Sequence, residues 1–470
     1  MRLPFHAPLA AAALLLCSLG ARAADAPAPA AGAPVAGAPA GKPVKLVTRA
    51  VPPEAQENPL DVNKATRAYL NLVTGAEREK SDAYFEGDYW LQLWSFLIGL
   101  AVAAVMLHGR LSSRMRAMAE RLVPWRWLQP AVYAVQWLVA VTVLTFPFDV
   151  YRGYFREHQY GLSNLTFGGW MAEQGKGFLL TALFTALGLT VFYAVLRKVQ
   201  RTWWLWGAGV AMAFIIFTAV IGPVFLAPVF NDFRPVQDPA VRDAVLRLAR
   251  ANDIPVDNVY EFDASKQHSR VSANVSGFLG TTRISLNDNL LERCDLAQIE
   301  AVMGHEMGHY VLNHVGKAML FFAFFLTASF AFARWAVERL LARMGERWGL
   351  RAVDDPAGFP LLVVTLSVFS FLSTPILNSF IRTQEMEADQ YGLNAAGQPD
   401  AEAQVDLALG EYRKLDPGPL EEMFFFDHPS GRVRIETAMK WKAEHLDQLK
   451  CRQSQAPPPA RPATSTPAPP

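Results

Sequence analysis

Six apolar stretches of roughly 20 residues each constrain the fold of this chain more than any other feature. They lie at residues 91–108, 128–148, 177–196, 203–225, 318–336 and 359–380. A helix of about 20 apolar residues crosses the hydrocarbon core of a bilayer, whereas core helices of globular proteins are rarely so long and uncharged. Trp90, Trp127 and Trp203 stand at the ends of such stretches, where membrane proteins concentrate aromatic residues. The sequence therefore predicts a mostly α-helical, polytopic membrane bundle.

Basic residues between these stretches predict the orientation of the bundle. They are concentrated after the first stretch, between the third and fourth, and after the fifth: Arg110, Arg114, Arg116, Arg121, Arg126, Arg197, Lys198, Arg201, Arg339, Arg343, Arg347 and Arg351. Loops that alternate in this way lie on one side of the membrane, and an excess of Lys and Arg marks the cytoplasmic side. The polar residues 231–317 and the segment from 381 onward are then expected on the opposite side.

Both ends of the chain have compositions typical of segments outside the folded domains. Residues 1–23 combine Arg2, an apolar core and an Ala-Arg-Ala cleavage site, as in a secretory signal peptide; an uncleaved anchor helix is the alternative. Residues 24–85 are predicted to form an Ala/Pro-rich linker and an N-terminal segment, and residues 452–470 a disordered tail. A secretory leader followed by such a linker indicates a multi-pass protein of a bacterial inner membrane, with its polar domain in the periplasm.

Composition argues against two further classes of protein, those that bind nucleic acid and those built on disulfides or cysteine-ligated zinc. The formal net charge is +1 and no basic stripe is interleaved with aromatic residues, so the lipid bilayer is an expected partner and nucleic acid is not. Three cysteines without a C-x-x-C pair exclude a disulfide framework and a cysteine-ligated zinc site. Nothing in the sequence indicates the oligomeric state.

The segment GHEMGHYVLNH, residues 304–314, contains the pattern H-E-x-x-H. Residues four apart share one face of a helix, so His305 and His309 can bind a single metal ion. Glu306 then projects beside the ion, where it could act on a water molecule. Asp295 is a predicted N-cap with Gln298 at the capping-box position, for a helix that continues to about His314. The alternative is a chance arrangement of polar residues on a helix.

A third ligand is required for a catalytic zinc site, and the segment after the last apolar stretch offers one. Glu385 and Asp389 lie four apart in NSFIRTQEMEADQYG, residues 378–392. One carboxylate could bind the metal while the other orients an imidazole, although an acidic pair at this spacing is more often a solvated helix face. Residues 231–317 have a mixed pattern, with a helix predicted at 239–251 and strands at 259–263, 271–278 and 283–286.

Several motifs together resemble the M48 zinc metalloproteases, and among them the CAAX prenyl protease 1 branch. They are HEMGH (305–309), RTQEMEAD (382–389), REHQYGLSNLT (156–166), GPVFLAPVFNDFRPV (222–236), SANVSGFLGTTRISLNDNLL (272–291) and DHPSGRVRI (427–435). The resemblance implies a helical bundle that encloses a chamber, closed by a small α+β zincin-like domain of gluzincin type. The expected units are four spans in 86–230, a zinc protease domain in 231–317, two spans in 318–380, and the third-ligand helix with the rest of the protease domain in 381–451.

The resemblance also implies roles for individual residues. One Zn²⁺ per chain is expected on His305, His309 and Glu385, with Asp389 orienting a ligand and Glu306 as the general base. His428 and Arg434 are expected near the oxyanion or the substrate backbone, although His428 could instead cap a helix. Ala273 and Asn274 are expected to offer backbone groups of an edge strand to a peptide substrate.

Other polar residues near these motifs receive no catalytic role from the sequence. His268 and His314 fall outside the motifs, so they are expected at the surface or in packing. Glu387 lies on a different helix face from Glu385 and is expected to matter little.

The predicted function is a membrane-embedded zinc metalloendopeptidase that hydrolyses membrane-proximal or envelope polypeptides. Two departures from the branch bear on its substrate. Prenyl proteases of this type have seven spans against six found here, and prenylated substrates are not expected in a periplasm. CAAX-type C-terminal processing remains an alternative. So does a non-catalytic scaffold with a vestigial metal site, although such a site has no use for Glu306.

Overall fold

The computed structural model describes residues 49–277 and 282–455 of the 470-residue chain. The predicted signal peptide, residues 24–48 of the predicted linker, and residues 456–470 of the predicted tail lie outside the described residues. The described chain is mostly helical. Its α-helices are α1 (Val62–Leu70), α2 (Gly75–His108), α3 (Leu111–Leu122), α4 (Gln129–Val150), α5 (Arg156–Gln159), α6 (Phe167–Leu196), α7 (Trp203–Ile221), α8 (Ala227–Phe230), α9 (Pro239–Ala251), α10 (Asp288–Arg293), α11 (Leu296–Val311), α12 (His314–Trp348), α13 (Phe359–Leu372), α14 (Thr374–Ala396), α15 (Pro399–Leu409), α16 (Pro419–Phe425), α17 (Gly431–Glu444) and α18 (Leu446–Gln455).

Five helical segments in the described residues are long and apolar enough to cross a membrane. They are Gly75–His108, Gln129–Gln159, Phe167–Leu196, Trp203–Phe230 and His314–Trp348. The second and fourth each continue through one π-helical turn into a short helix, α5 and α8 respectively. Each of the first five predicted apolar stretches lies within one of these segments, except that the second begins one residue earlier, at Leu128.

The sixth predicted span is not a single straight helix. Residues Pro356–Leu372 and Thr374–Ala396 meet at Ser373 with a bend of 58°. Pro375 follows the bend, where its ring and missing N–H disrupt a continuing helical ladder. The predicted span over 359–380 is therefore a bent pair of helices, in which α14 leaves the direction of α13 and runs into the polar domain.

The interior of the bundle is filled by large side chains from α4, α6, α7, α12 and α13. Trp137, Phe192, Trp203, Phe330 and Phe359 are all buried there. Since lipid tails are as apolar as these side chains, the helices associate through close packing rather than through exclusion from water.

The three basic loops lie together at one end of the bundle. The guanidinium group of Arg110, after the first span, donates to the carbonyl oxygens of Glu346 and Arg347 near the end of the fifth, at 2.9 Å in each case. Arg197, after the third span, donates to the carbonyl oxygen of Arg126 at 2.9 Å. These contacts agree with the side-by-side placement that the charge pattern predicted.

A four-stranded sheet lies in the polar domain between the fourth and fifth spans. Its strands are β1 (Phe233–Pro235), β2 (Val259–Phe262), β3 (Ala273–Ser276) and β4 (Arg283–Asn287), in the order β1-β2-β4-β3. Strands β2 and β4 are parallel, whereas β1–β2 and β3–β4 are antiparallel. The sequence predicted α9 and three of the strands but not β1, which has only three residues and includes Pro235. Helices α9 and α11 pack on the sheet through one apolar core.

The described part of the N-terminal segment packs against the C-terminal part of the polar domain. Tyr69 is fully buried, and its hydroxyl donates to Asp400 Oδ1 at 2.7 Å. Lys442 Nζ donates to the carbonyl oxygen of Ala55 at 2.8 Å and pairs with Asp400. At the C-terminal end of the described residues, α18 continues to Gln455, past residue 452, where the disordered tail was predicted to begin.

Spanning helices and polar domain together enclose a cavity of about 1600 Å³. Apolar side chains of α4, α6 and α7 line one part, including Leu138, Phe184 and Phe214. The part next to the polar domain is lined by His305, Glu306 and other polar groups. The expected chamber is thus present, with the predicted metal-binding motif in its wall.

Candidate metal centre and active site

Helix α11 carries the H-E-x-x-H motif and begins at a complete capping box. Asp295 Oδ1 accepts from the backbone N–H of Gln298 at 2.9 Å, and Gln298 Oε1 accepts from that of Asp295 at 3.0 Å. The helix ends at Val311 rather than near His314, because Asn313 adopts a left-handed conformation with φ of 53°. His314 is therefore the first residue of α12.

Helix α14 carries Glu385 and Asp389 and packs closely against α11. A Cβ atom on Gly392 would lie 2.7 Å from the backbone nitrogen of His305, and one on Gly304 would lie 2.9 Å from the carbonyl oxygen of Gly392. Only glycine permits two helix backbones to approach this closely. This contact sets the distance between the two imidazoles and the third predicted ligand.

The three predicted ligands converge on one point. Nε2 of His305 lies 3.1 Å from Nε2 of His309 and 3.5 Å from Glu385 Oε2, and His309 Nε2 lies 3.7 Å from Glu385 Oε1. Two ligands of a tetrahedral zinc ion, each about 2.0 Å from it, lie roughly 3.3 Å apart. Two imidazole nitrogens and one carboxylate thus fit a metal site with one position left for water or substrate.

Burial and charge act differently on the two imidazoles. Burial lowers the pKa of His309 to about 3, even though Glu385 opposes the effect, so His309 is neutral. For His305, burial also disfavours the proton, but hydrogen bonds to Asp389 and Glu385 outweigh it and raise the pKa well above its usual value.

Asp389 lies within hydrogen-bonding distance of His305, whose orientation it is predicted to set. Nδ1 of His305 donates to Asp389 Oδ1 at 2.8 Å, so Nε2 is the nitrogen that faces the site. Asp389 is held in turn by Arg434, whose Nε and Nη2 donate to Oδ2 and Oδ1 at 2.9 and 2.5 Å.

Arg434 lies elsewhere than the resemblance implied. Its guanidinium group also contacts Glu402 Oε1 at 3.3 Å and Asp406 Oδ1 at 3.1 Å. It approaches His305 on the Nδ1 side, at 3.5 Å, and not on the Nε2 side where an oxyanion would form. The predicted contact with the oxyanion therefore needs correction, because three buried carboxylates already engage this cation.

His428 lies beside the ligands. Its Nε2 is 3.2 Å from Glu385 Oε2, and its Nδ1 is 2.8 Å from Asp427 Oδ1. Ser430 occupies the N-cap position of α17, so His428 does not cap that helix. Burial lowers the pKa of His428 despite the attraction of Glu385.

Glu306 and the edge strand β3 lie in the same cavity wall. Among the described residues, β3 pairs with β4 on one side and with no strand on the other. Ala273 and Val275 line the cavity, whereas the Asn274 side chain is buried away from it. Backbone groups of Ala273 and Asn274 remain the predicted contact for an extended peptide.

His314 is the residue near the ligands that sequence reasoning missed. It is only 3% exposed, and its Nδ1 lies 2.8 Å from Nδ1 of His309. The H-x-x-x-x-H spacing from 309 to 314 is the signal that could have found it, but a helix continuing through 314 would have turned it away. His268 lies apart, in an isolated bridge with Ser163, and its carbonyl oxygen accepts from Asn289.

Comparisons with known proteins agree with this arrangement. The family model of peptidase family M48 matches residues 235–442, and that of the CAAX prenyl protease N-terminal region, described as five membrane helices, matches residues 60–232. An uncharacterized metalloprotease, YhfN of Bacillus subtilis, is 32% identical over 350 residues, which cover 74% of this chain and 82% of that protein. A CAAX prenyl protease 1 homolog of Arabidopsis thaliana is 25% identical over 378 residues, covering 77% and 87% of the two chains.

One solved structure shares the fold over nearly its full length. The crystal structure of S. mikatae Ste24p superposes with a TM-score of 0.65 at 19% sequence identity, over 93% of this chain and 99% of that one. Together with the identity to the Bacillus subtilis metalloprotease, the family match covers both the spans and the polar domain. The chain therefore belongs to peptidase family M48, as a multi-pass membrane metalloprotease.

Proposed function

We propose that this protein is a zinc endopeptidase whose metal is held by His305, His309 and Glu385. The observation that carries the proposal is the convergence of these ligand atoms in the wall of a chamber that also receives Glu306 and His428. Two imidazoles and a carboxylate are a common donor set of catalytic zinc sites. A non-catalytic scaffold would have no use for the chamber or for Glu306.

Each residue would contribute one element of peptide hydrolysis. A zinc ion bound here would supply a Lewis acid that polarises the peptide carbonyl and acidifies a water molecule. Glu306 would take the proton of the attacking water and pass it to the leaving amine. His428, whose Nδ1 is held by Asp427, would stabilise the negative charge that develops on the carbonyl oxygen once both of its ring nitrogens carry protons. Arg434 would act through Asp389 by keeping His305 in place.

The substrate would bind as an added strand. The cavity-facing edge of β3 offers backbone groups of Ala273 and Asn274 to an extended peptide. The enclosed chamber admits unfolded or flexible segments and not a folded domain. Membrane-proximal or misfolded envelope polypeptides are therefore the substrate class that we propose.

We place the active site on the periplasmic face of a bacterial inner membrane. The basic loops gather at one end of the bundle, and α12 separates that end from the metal centre. A helix of 35 residues is about 52 Å long, enough to put the two on opposite sides of a bilayer. An excess of Arg and Lys marks the cytoplasmic side.

The test of the catalytic proposal is Glu306→Gln. The amide cannot accept a proton, so we expect peptidase activity to fall roughly 10²- to 10⁴-fold. Zinc content should stay at one per chain, because Glu306 is not among the ligands. Glu300→Gln, on the same helix, is the matched control and should retain activity. Near-normal turnover by the zinc-loaded Glu306→Gln protein would refute the assigned role.

A second candidate is CAAX-type C-terminal processing, favoured by the names of several relatives, including CAAX prenyl protease 1 of Saccharomyces cerevisiae. Purified protein can be given one peptide in three forms: with a prenylated C-terminal CAAX motif, without the lipid, and with the motif moved inside a longer chain. Cleavage of all three forms supports the general endopeptidase. Cleavage confined to the prenylated C-terminal form supports the second candidate instead.

A further inference from the structure

The two predicted imidazole ligands differ in the group that contacts Nδ1, the ring nitrogen that faces away from the metal position. Nδ1 of His305 meets a carboxylate, that of Asp389. Nδ1 of His309 meets another imidazole instead, at 2.8 Å from Nδ1 of His314. His314 is buried at the start of α12, and its ring packs edge-on against that of His309 with centroids 4.9 Å apart.

This contact has one consistent assignment of hydrogens when His309 binds a metal. The Nε2 atom of His309 must offer its lone pair to the ion, so its proton is on Nδ1. Nδ1 of His309 then donates to Nδ1 of His314, which must be the acceptor. The single proton of a neutral His314 is therefore on Nε2.

Glu387 completes the chain of hydrogen bonds. Its Oε2 lies 3.0 Å from Nε2 of His314 and accepts the proton located there. Lys317 Nζ pairs with the same oxygen and holds the carboxylate in position. The ion pair of Glu387 and Lys317 thus fixes which atom donates in each hydrogen bond: His314 donates to Glu387, and His309 donates to His314. A carboxylate that accepts from His314 also makes its Nδ1 a better acceptor for His309.

We propose that His314 and Glu387 are positioning residues that hold His309 in the tautomer and orientation required for metal binding. They would do for His309 what Asp389 and Arg434 do for His305. Both supports include α14, which carries Asp389 and Glu387. The remaining groups come from different elements: Arg434 lies on α17, whereas His314 and Lys317 lie on the first turn of α12. This inference rests on the proposed zinc site and replaces the expectation that Glu387 matters little.

The experiment compares substitutions that keep or remove the hydrogen bonds. In His314→Gln the amide oxygen can accept from His309 and the amide nitrogen can donate to Glu387. In His314→Phe the ring shape is kept and both bonds are lost. We expect zinc affinity, measured by chelator competition, to fall roughly 10- to 100-fold in His314→Phe and much less in His314→Gln. His445→Phe, far from the ligands on the polar domain, is the control and should bind zinc as the wild type does.

Glu387 provides a second measurement that does not depend on replacing a buried residue. Its side chain is 43% exposed, so the fold should tolerate Glu387→Leu. We expect weaker zinc binding in Glu387→Leu than in Glu387→Gln, which keeps an acceptor for His314. In the His314→Phe background, Glu387→Leu should have no further effect, because the hydrogen bonds that connect Glu387 to His309 through residue 314 are already lost.

The possible outcomes distinguish a failure of this inference from a failure of the proposed zinc site. If the wild type binds no zinc, the proposed zinc site fails. If it binds zinc and His314→Phe and Glu387→Leu bind it equally tightly, the positioning role is overturned. A loss of affinity of equal size in His314→Gln and His314→Phe would also overturn it, since shape and not hydrogen bonding would then be decisive. At saturating zinc we expect kcat to recover in larger part than affinity, with KM unchanged.

Discussion

Arg434 is shared by three buried carboxylates, one of which contacts His305. It contacts Asp389, Glu402 and Asp406 at distances from 2.5 to 3.3 Å. Burial raises the pKa of Asp406 well above its usual value even though Arg434 lies beside it, and burial raises that of Glu402 as well. The site therefore depends on a cation to keep Asp389 available to His305.

We expect Arg434→Met to destabilise the protein more than the loss of any single carboxylate. Removing one partner of a buried ion pair typically costs about 3–5 kcal/mol. Asp406→Asn is the contrasting change and should cost about 1 kcal/mol or less, because the raised pKa already favours a neutral group at this position. Thermal unfolding midpoints in detergent measure both. Equal midpoints for Arg434→Met and Asp406→Asn would contradict this account.

Local spacing made some of the site residues predictable and hid others. The helical repeat nominates His305, Glu306 and His309, and the family resemblance was needed to decide against a chance arrangement. Glu385 needed the resemblance to a family, because nothing local shows that α14 returns to α11. His314 was missed because its position depends on the left-handed turn at Asn313, which the sequence of a polar helix end does not reveal.

At the scale of the elements, the glycines between α11 and α14 set the geometry of the metal site. We expect Gly392→Ala to push the two helices apart, since the new Cβ would lie 2.7 Å from the backbone of His305. Overpacking of this kind typically costs about 1–3 kcal/mol. The displacement also separates Glu385 from the imidazoles, so zinc content should fall with it.

Gly99→Ala is the control for the glycine substitution. Gly99 also lies inside a helix, α2, but a Cβ atom there would meet nothing within 4 Å. Zinc content and unfolding midpoint should stay at the wild-type values. If Gly392→Ala binds zinc as well as Gly99→Ala does, the close contact of α11 and α14 does not control the site.

Elements that depend on local pattern were predicted more accurately than those that depend on neighbours. The amphipathic repeat placed α9 at its observed bounds, and the capping box placed the start of α11. Strand β1 was missed because three residues are too few for a pattern, and only pairing with β2 makes them a strand. The bend at Ser373 was missed because both halves of the segment are apolar enough to belong to a span.

At the scale of the whole molecule, the proposed orientation can be tested with one native cysteine. Cys451 is exposed in the polar domain, and Arg343 lies at the basic end of the bundle. In spheroplasts, a membrane-impermeant maleimide should label Cys451 and lose that signal in Cys451→Ser. In the Cys451→Ser background, Arg343→Cys should be labelled only after lysis. Labelling of Arg343→Cys in intact spheroplasts would contradict the proposed orientation and indicate the opposite one.

The bend between α13 and α14 has a consequence for the synthesis of the protein. His305 and His309 precede the fifth span, whereas Glu385 follows the sixth, and the paired residues His305 and Asp389 are 84 positions apart. A growing chain with only five spans inserted would therefore hold both imidazoles of the proposed zinc site but not Glu385. The atoms that would hold the metal in the proposed site meet only when α14 has folded back onto α11. For the proposed zinc site, completion of the fold would itself be the step that assembles the active centre.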